Sequence, residues 1–431
     1  MFIKKIHVTI ILFALLSSKL SSQMQFDSFN QLWEMTVKQN PTLATYRLNI
    51  KIARDNYRAS QSFLLPSISA SATAQNNFKL QTTIISLPGQ SDETLTLGSK
   101  YAYNAGLTGN YTLFNWQAIT ESRQAKNTIK LQEAQEAYYL QTLKNMAASL
   151  YYQTLVSLRA LEITREDLIL ADTLVNLAAQ KYTEGSISLI DLNQSKINYN
   201  QIAQNVIASE NLYESNIHQL KILLGLQVND TIVIRERLPE TVETEIYRLG
   251  KDKLLDTYAR MVKDAEYNFR IQKSANIPIL SFYGYYGAEQ FQHTFDAFSF
   301  RSSYWHGQEY IGLSLTASLF SGLNDINKMK AAKKNVELAQ TQLEIARQQS
   351  AINDHLLLEE IIRNGNSTQK ASNAFFLYKE NLNLYNIQYK EGAIDLNTFL
   401  TYFQNYLIIE NAYFTQLSNY YNNLSVVISR N

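Results

Sequence analysis

The sequence contains no cysteine. That excludes disulfides, a thiolate nucleophile, a Cys-ligated metal and a cysteine-borne lipid at a processed N-terminus. An excess of either charge is missing too. Thirty-nine Lys and Arg face 38 Asp and Glu, a formal net charge of +1, and nothing argues for a nucleic-acid partner. Charged residues are only 18% of the chain while tyrosine occurs 28 times, so the surface is built from amides and hydroxyls more than from charges. Beyond the N-terminal segment, no run is long and apolar enough for a membrane helix, which needs ~20 residues. Motifs for chemistry are lacking as well. The five histidines (His7, His218, His293, His306, His355) show no close helical metal spacing. No serine sits in a nucleophile elbow, and no Gly-rich loop could cradle a phosphate. The expectation is a non-enzyme without metal or cofactor, and any ATP hydrolysis it needs must come from a partner.

What is present begins with "MFIKKIHVTIILFALLSSKLSSQ". Lys4 and Lys5 precede a short apolar run, Val8 to Leu16, and then the small residues Ser17, Ser18, Ser21 and Ser22. This is the pattern of a secretory signal over residues 1–22, cleaved near Ser22 or Gln23.

The remainder repeats itself. "QKYTEGSISLIDLNQ" (180–194) aligns with "IQYKEGAIDLNTFLT" (387–401), "AGLTGNYTLF" (105–114) with "IGLSLTASLF" (311–320), and "LLPSISASATA" (64–74) with "NIPILSFYGYY" (276–286). The offsets are 207, 206 and 212 residues, in the same order, which marks a duplication. The first repeat spans 23–225. An amphipathic helix from about Phe29 to Ser62 is followed by strands near 66–78 and 100–114. Long helices then run near 116–181 and 189–224. Between Trp116 and Lys181 there is neither Pro nor Gly, and a helix of that length extends about 100 Å. Residues 226–248 form a linker. The second repeat, 249–431, has a less regular start (250–275), strands near 277–289 and 309–320, and long helices near 323–388 and 396–428. Asn364-Gly365-Asn366 is expected to interrupt the first of these as a kink.

All four strands alternate. Ile68, Ala70, Ala72 and Ala74 share one face, and Ser67, Ser69, Ser71 and Thr73 the other. In the second strand Tyr101, Tyr103, Ala105, Leu107, Tyr111 and Leu113 alternate with Asn104, Gly106, Thr108, Asn110 and Thr112. In the third, Leu280, Phe282 and Tyr286 share a face, but Tyr283 and Tyr285 blur the other. In the fourth, Ile311, Leu313, Leu315, Ala317 and Leu319 alternate with Gly312, Ser314, Thr316 and Ser318. Taken singly, each strand fits an ordinary antiparallel sheet with one wet face. Together, with an export signal, strand lengths near 10 residues and aromatic residues at strand ends (Tyr101, Tyr103, Trp116, Tyr285, Tyr286, Tyr304, Trp305, Tyr310), they fit a membrane β-barrel. Four strands cannot close a barrel and open edges are not tolerated in lipid, so several chains must share one. In the helices Leu161, Leu168, Val175 and Tyr182 recur every seven residues, shadowed by Ile163, Leu170 and Leu177, with Phe375, Leu382 and Tyr389 in repeat two. Heptads mean helix-on-helix packing, in a ring of helices or in a plain coiled-coil hairpin.

The signal segment, the duplication, the Pro-led strand pairs, the strand ends "YTLF" and "ASLF", and the turns "YTEGSISLIDL" and "YKEGAIDLNTF" together resemble the TolC-type outer-membrane efflux protein family, from about Phe26 to Arg430. The resemblance implies a homotrimer with one twelve-stranded β-barrel in outer-membrane lipid and an α-helical tunnel in the periplasm. It implies external loops near Lys79–Gly98 and Glu289–Gln308, and the linker in a belt around the tunnel. Its partners would be a periplasmic adaptor protein and an inner-membrane transporter, in tripartite efflux or type I secretion. The far periplasmic tip, the gate and docking site, would carry Gly185 and Gly392 as left-handed helix caps, with Tyr182 and Tyr389 beside them and Asp191 in the closing network. Where family members can place acidic rings, this chain has Thr398 and Thr401, with Asp395 the nearest carboxylate. The rival reading is an exported coiled-coil structural or adhesive protein of the envelope.

Overall fold

Asn40-Pro41 shows how local chemistry sets element boundaries in the computed structural model, which describes residues 23–85, 88, 93–239, 241, 242, 247–295 and 305–431. The expected signal segment, Tyr304 and parts of the linker and of the two loops expected to be external lie outside those residues. Helix α1 (Phe29–Gln39) and helix α2 (Pro41–Ser60) occupy the stretch expected to be one helix. Proline lacks an N–H and disfavours helical geometry in the residue before it. Asn40 turns the break into a new start: its side-chain oxygen accepts from the Leu43 amide (2.8 Å) and from the Tyr139 hydroxyl (3.2 Å), while its amide donates to the Leu223 carbonyl (2.8 Å).

The order continues with β2 (Ser67–Asn76), a short hairpin β3 (Gln81–Ile85) and β4 (Glu93–Leu97), then β5 (Tyr101–Phe114) and helices α3 (Trp116–Thr183) and α4 (Leu189–Leu224). A four-residue strand β1 (Gln23–Phe26) precedes α1 and pairs in parallel with β6 (Thr231–Ile234). The stretch read as a linker is therefore partly sheet. Helix α5 (Lys253–Lys273), β7 (Ile279–Gln292), β8 (Trp305–Thr316), α6 (Asn324–Lys390) and α7 (Leu396–Arg430) complete the chain. Two expectations need correction. Helix α6 runs without interruption through Asn364-Gly365-Asn366; one glycine costs a helix roughly 1 kcal/mol, less than the packed faces on either side supply. The alternation in 317–320 is not strand either. The last ladder pair is Ile279 with Thr316, and Pro278 has no N–H to extend it.

The chain forms two compact units, each drawing on both repeats. One comprises residues 49–133 and 257–344 and contains the antiparallel sheet β2-β5-β7-β8. Its register aligns the faces of all four strands. Ser71, Gly106 and Gly287 are opposed, as are Asn110, Tyr283 and Gly312, so Tyr283 and Tyr285 belong to the polar face. Glycine makes room for them. A Cβ on Gly106 would meet the Tyr285 hydroxyl at 2.5 Å, and one on Gly312 would meet the Tyr283 ring at 2.7 Å. The Tyr285 hydroxyl then donates to Asn104 (3.0 Å), whose amide donates to Glu289 (3.1 Å). On the opposite face Ala70, Leu107, Tyr286 and Glu309 are in line, as are Tyr111, Phe282 and Leu313. Ile68, Leu107, Tyr286, Ile311, Leu313 and Leu315 are exposed there, Ile311 by 78%.

The other unit comprises the rest, with two cores. One gathers Phe26, Phe29, Leu32, Leu143, Tyr151, Leu220 and Ile232 around the β1–β6 pair. The second follows the long helices, from Ile163, Ala171, Leu174 and Ala178 on α3 to Phe375 and Leu382 on α6 and Phe399, Phe403, Tyr406 and Tyr413 on α7. Arg430, nearly buried at the end of α7, bonds Asp354 (2.9 Å) and the Gly250 carbonyl (3.0 Å) and holds the C-terminus in place.

Candidate functional site

The two turns joining the long helices are built alike. In each, glycine follows the helix with positive φ, +74° at Gly185 and +78° at Gly392. The Gly185 amide bonds the Tyr182 carbonyl and the Ser186 amide the Lys181 carbonyl (3.0 and 2.8 Å); Gly392 and Ala393 repeat this on Tyr389 and Gln388 (3.1 and 2.8 Å). These paired bonds close a Schellman cap. Nothing lies within 4 Å of where a Cβ would stand at either glycine, so only backbone conformation resists substitution. Gly185→Ala and Gly392→Ala are each expected to cost about 1 kcal/mol in thermal unfolding, additively. A neutral effect at either would mean the left-handed cap is not held.

The following helices start with the same geometry and exchanged chemistry. At α4, Ser188 is the cap and Asp191 its reciprocal partner. The Asp191 amide donates to Ser188 Oγ (3.2 Å), and the Ser188 amide donates to Asp191 Oδ2 (3.0 Å), a capping box. At α7 the cap is Asp395, accepting from the amide (2.7 Å) and hydroxyl (3.1 Å) of Thr398. These bonds hold the Asp395 carboxyl below the usual carboxylate range. Asp191 and Asp395 thus each serve their own helix start. Thr401 is turned to its own helix, its hydroxyl donating to the Asn397 carbonyl (2.8 Å).

The paired tyrosines differ. Tyr182 is exposed, whereas Tyr389 is 1% exposed against Phe399, with ring centres 5.9 Å apart. Burial first, and then the charge on Asp191, raises the Tyr389 hydroxyl above its ordinary range. The residue that joins the two repeats here is Lys181. Its ammonium donates to the Tyr389 carbonyl (3.1 Å) and lies 4.3 Å from the centre of the Tyr389 ring. That carbonyl belongs to the last turn of α6, where a cation is favoured by the helix dipole and by the aromatic face. The position is an ordinary last-turn lysine in the sequence, and its counterpart in the second repeat is Gln388, so no pattern flagged it. Asp395, Thr398 and Thr401 do come together. With Tyr385, Asn397, Tyr402 and Asn405 they line an open cavity of about 480 Å³. Tyr402 stacks on Tyr385 (4.2 Å, 13°) and on Tyr378 (5.3 Å, 22°). The lining is a polar wall of hydroxyls and amides backed by rings, with one carboxylate.

A second polar feature lies inside the helical core. Asp167 on α3 and Glu410 on α7 are each 5% exposed, within the core that follows the long helices. Their carboxyls are within hydrogen-bonding reach, beside the Tyr406 hydroxyl. Asp167 Oδ2, Glu410 Oε2 and the Tyr406 hydroxyl nevertheless find no hydrogen-bond partner among the described residues. Two such carboxylates cannot both stay ionised, and the bond between them needs a proton on one. Lys379 on α6 is nearby but pairs with Glu166 (2.7 Å).

Comparisons with known proteins converge. Residues 32–226 match the family described as "Outer membrane efflux protein". The chain is 21% identical over 338 residues to Outer membrane protein TolC of Vibrio cholerae, covering 76% of this chain and 73% of that one. Its fold is similar to that of the Campylobacter jejuni CmeC outer membrane channel (TM-score 0.74, 18% identity, 93% of this chain and 85% of that one). It is also similar to the open state of the Neisseria gonorrhoeae MtrE outer membrane channel (TM-score 0.73, 17% identity, 93% and 88%).

Proposed function

We propose, from the match of residues 32–226 to the outer membrane efflux protein family, that this chain is one protomer of a homotrimeric exit duct in the outer membrane. It passes small molecules or polypeptide from an inner-membrane transporter and a periplasmic adaptor to the outside. The observation that carries this reading is the sheet. Its apolar face is solvent-exposed, and both edge strands, β2 and β8, lack an outer neighbour among the described residues. In lipid an open edge is forbidden. Because all neighbours are antiparallel, β2 and β8 run in opposite directions, so β8 of one copy can pair antiparallel with β2 of the next. Three copies give twelve strands, above the eight of the smallest bacterial barrels. The Ser/Thr/Asn face then lines a wet lumen.

The helical turns at Gly185 and Gly392 form the periplasmic gate in this reading, with the polar cavity around Asp395 near the constriction. The duct performs no energy-yielding chemistry; it supplies a path and a closure that an adaptor biases between two helix packings. The test is native mass and residence. A detergent-requiring trimer in the outer-membrane fraction supports the duct, and a water-soluble monomer or dimer hands the case to an exported coiled-coil protein. The gate has its own test. Lys181→Met removes the contact to Tyr389 and is expected to raise single-channel conductance in planar bilayers, while Lys390→Met does not. Equal traces for wild type and Lys181→Met would remove Lys181 from the closure.

A further inference from the structure

The helices that adjoin the sheet carry a concentration of positive charge that the duct reading does not use. On α3, Arg123, Lys126 and Lys130 stand at i, i+3 and i+7, one helix face. On α5, Arg260, Lys263 and Tyr267 repeat the same spacing. The two faces meet around a cavity of about 150 Å³ that these six residues line together with Asn127. The helices are stitched together beside it: Asn127 donates to the Arg260 carbonyl (3.3 Å) and Gln124 to Asp264 (3.2 Å). Of the five cations only Lys263 has a carboxylate partner among the described residues, Glu266 at 2.9 Å. The chain as a whole is nearly neutral, so a cluster in which four of five cations lack a carboxylate partner among the described residues is a local arrangement and not a consequence of composition. Unpaired like charges converging on a cavity repel one another, and an anion within it relieves that repulsion.

Position narrows the kind of anion. Helix α3 starts at Trp116, two residues after β5 ends, and Arg123 lies over the Trp116 ring at 5.4 Å. Arg123 is about 10 Å along the helix from Trp116 and its long side chain turns back to that ring, toward the headgroup layer that flanks a bilayer's hydrocarbon, while Lys126 and Lys130, about 15 and 21 Å along, continue the cluster away from it. Tryptophan capped by arginine is the usual chemistry of that boundary. The cavity also fits a phosphodiester: a small space, several N–H donors and one phenol hydroxyl.

We propose that the cluster of Arg123, Lys126, Lys130, Arg260 and Lys263 between α3 and α5 is a binding site for the phosphate of an anionic phospholipid headgroup. The proposal rests on the membrane reading of the sheet. The site anchors each protomer against the membrane surface on the helical side of the barrel, and its occupancy weakens as salt rises.

Native mass spectrometry of the delipidated full-length protein tests this. The protein is titrated with phosphatidylglycerol, with phosphatidylcholine, and with phosphatidylglycerol in the presence of inorganic phosphate. The expected result is about tenfold tighter retention of phosphatidylglycerol than of phosphatidylcholine, undisturbed by inorganic phosphate. The combined variant Arg123→Gln/Lys126→Gln/Arg260→Gln should abolish the preference, and Lys328→Gln/Lys330→Gln/Lys333→Gln on α6 should keep it. Equal retention of the two lipids by the wild-type protein overturns the proposal even where a variant fails to fold. Displacement by inorganic phosphate also overturns it, assigning the cavity to a soluble anion. A protein that needs no detergent would instead sink the membrane reading beneath it.

Discussion

Ile311→Arg and Leu313→Arg, on the apolar face of β8, are each expected to remove the protein from the outer membrane, whereas Ser314→Arg on the same strand leaves it there. The three positions are neighbours in sequence and differ only in face: Ile311 and Leu313 are cross-strand from Gly284 and Phe282, Ser314 from Ser281. A strand's period of two makes that difference absolute. If the exposed face meets hydrocarbon, each arginine there costs about 2–4 kcal/mol near the bilayer midplane. The cost recurs in every protomer, enough to consume most of the stability of an ordinary domain. An arginine replacing Ser314 would meet water and change only the lumen's charge. The measurement is the amount of heat-resistant oligomer in outer-membrane fractions. Equal loss for all three variants would mean that the strand is merely intolerant of bulk, and equal tolerance would mean that neither face touches lipid. The same comparison separates the duct from a soluble hairpin, because a hairpin in water would lose little from arginine at an already exposed position.

Much of this architecture was legible because the signals are local. The turn sequences carry glycine where φ must be positive and a Ser or Asp three residues later where a new helix must be capped, and the α4 boundaries, Leu189 and Leu224, coincide with the expected ones. The strand faces followed from alternation alone, apart from Tyr283 and Tyr285, whose rings fit on the polar face because Gly312, opposite Tyr283, and Gly106, diagonal to Tyr285, leave room for them. What escaped the sequence is what depends on distant partners. Strands "QMQF" and "TIVI" are too short to announce themselves and exist because they pair with each other. The break at Asn40-Pro41 is hidden because the apolar period continues across it, although Asn-Pro is itself a start signal. At the tip the glycine caps were legible. Lys181 was not, because its role depends on the Tyr389 carbonyl in the other repeat. Asp167 and Glu410 look like solvated helix charges until α3 and α7 are brought together.

That buried pair gives the second large expectation, a stability that falls as pH rises. Burial first, then the charge on Asp167 and the bond to it, raises the Glu410 carboxyl well above its ordinary range. Burial also raises Asp167, against the lowering influence of Glu410, of the Lys379 charge and of the nearby Tyr406 hydroxyl, with the Glu166 charge adding to the rise. In the unfolded chain both ionise in the ordinary carboxylate range. The folded protein therefore binds protons that the unfolded chain releases. Its contribution to stability is full below that range and declines as pH climbs through neutrality, until Glu410 ionises in place. Glu410→Gln retains the shape, cannot ionise, and offers an amide donor to the Asp167 carboxylate. It should raise thermal stability by about 1–3 kcal/mol at about pH 8 and flatten the pH profile, with the two proteins converging toward about pH 4. Glu410→Leu, which leaves Asp167 buried without a donor, should not give that gain. Parallel profiles for wild type and Glu410→Gln, measured by thermal unfolding in detergent, would mean that the carboxyls are hydrated in the assembled protein. A flattened profile would mean that the contact between α3 and α7 holds a proton, and that ionising the pair loosens the packing of the two helices that lead to the turns at Gly185 and Gly392.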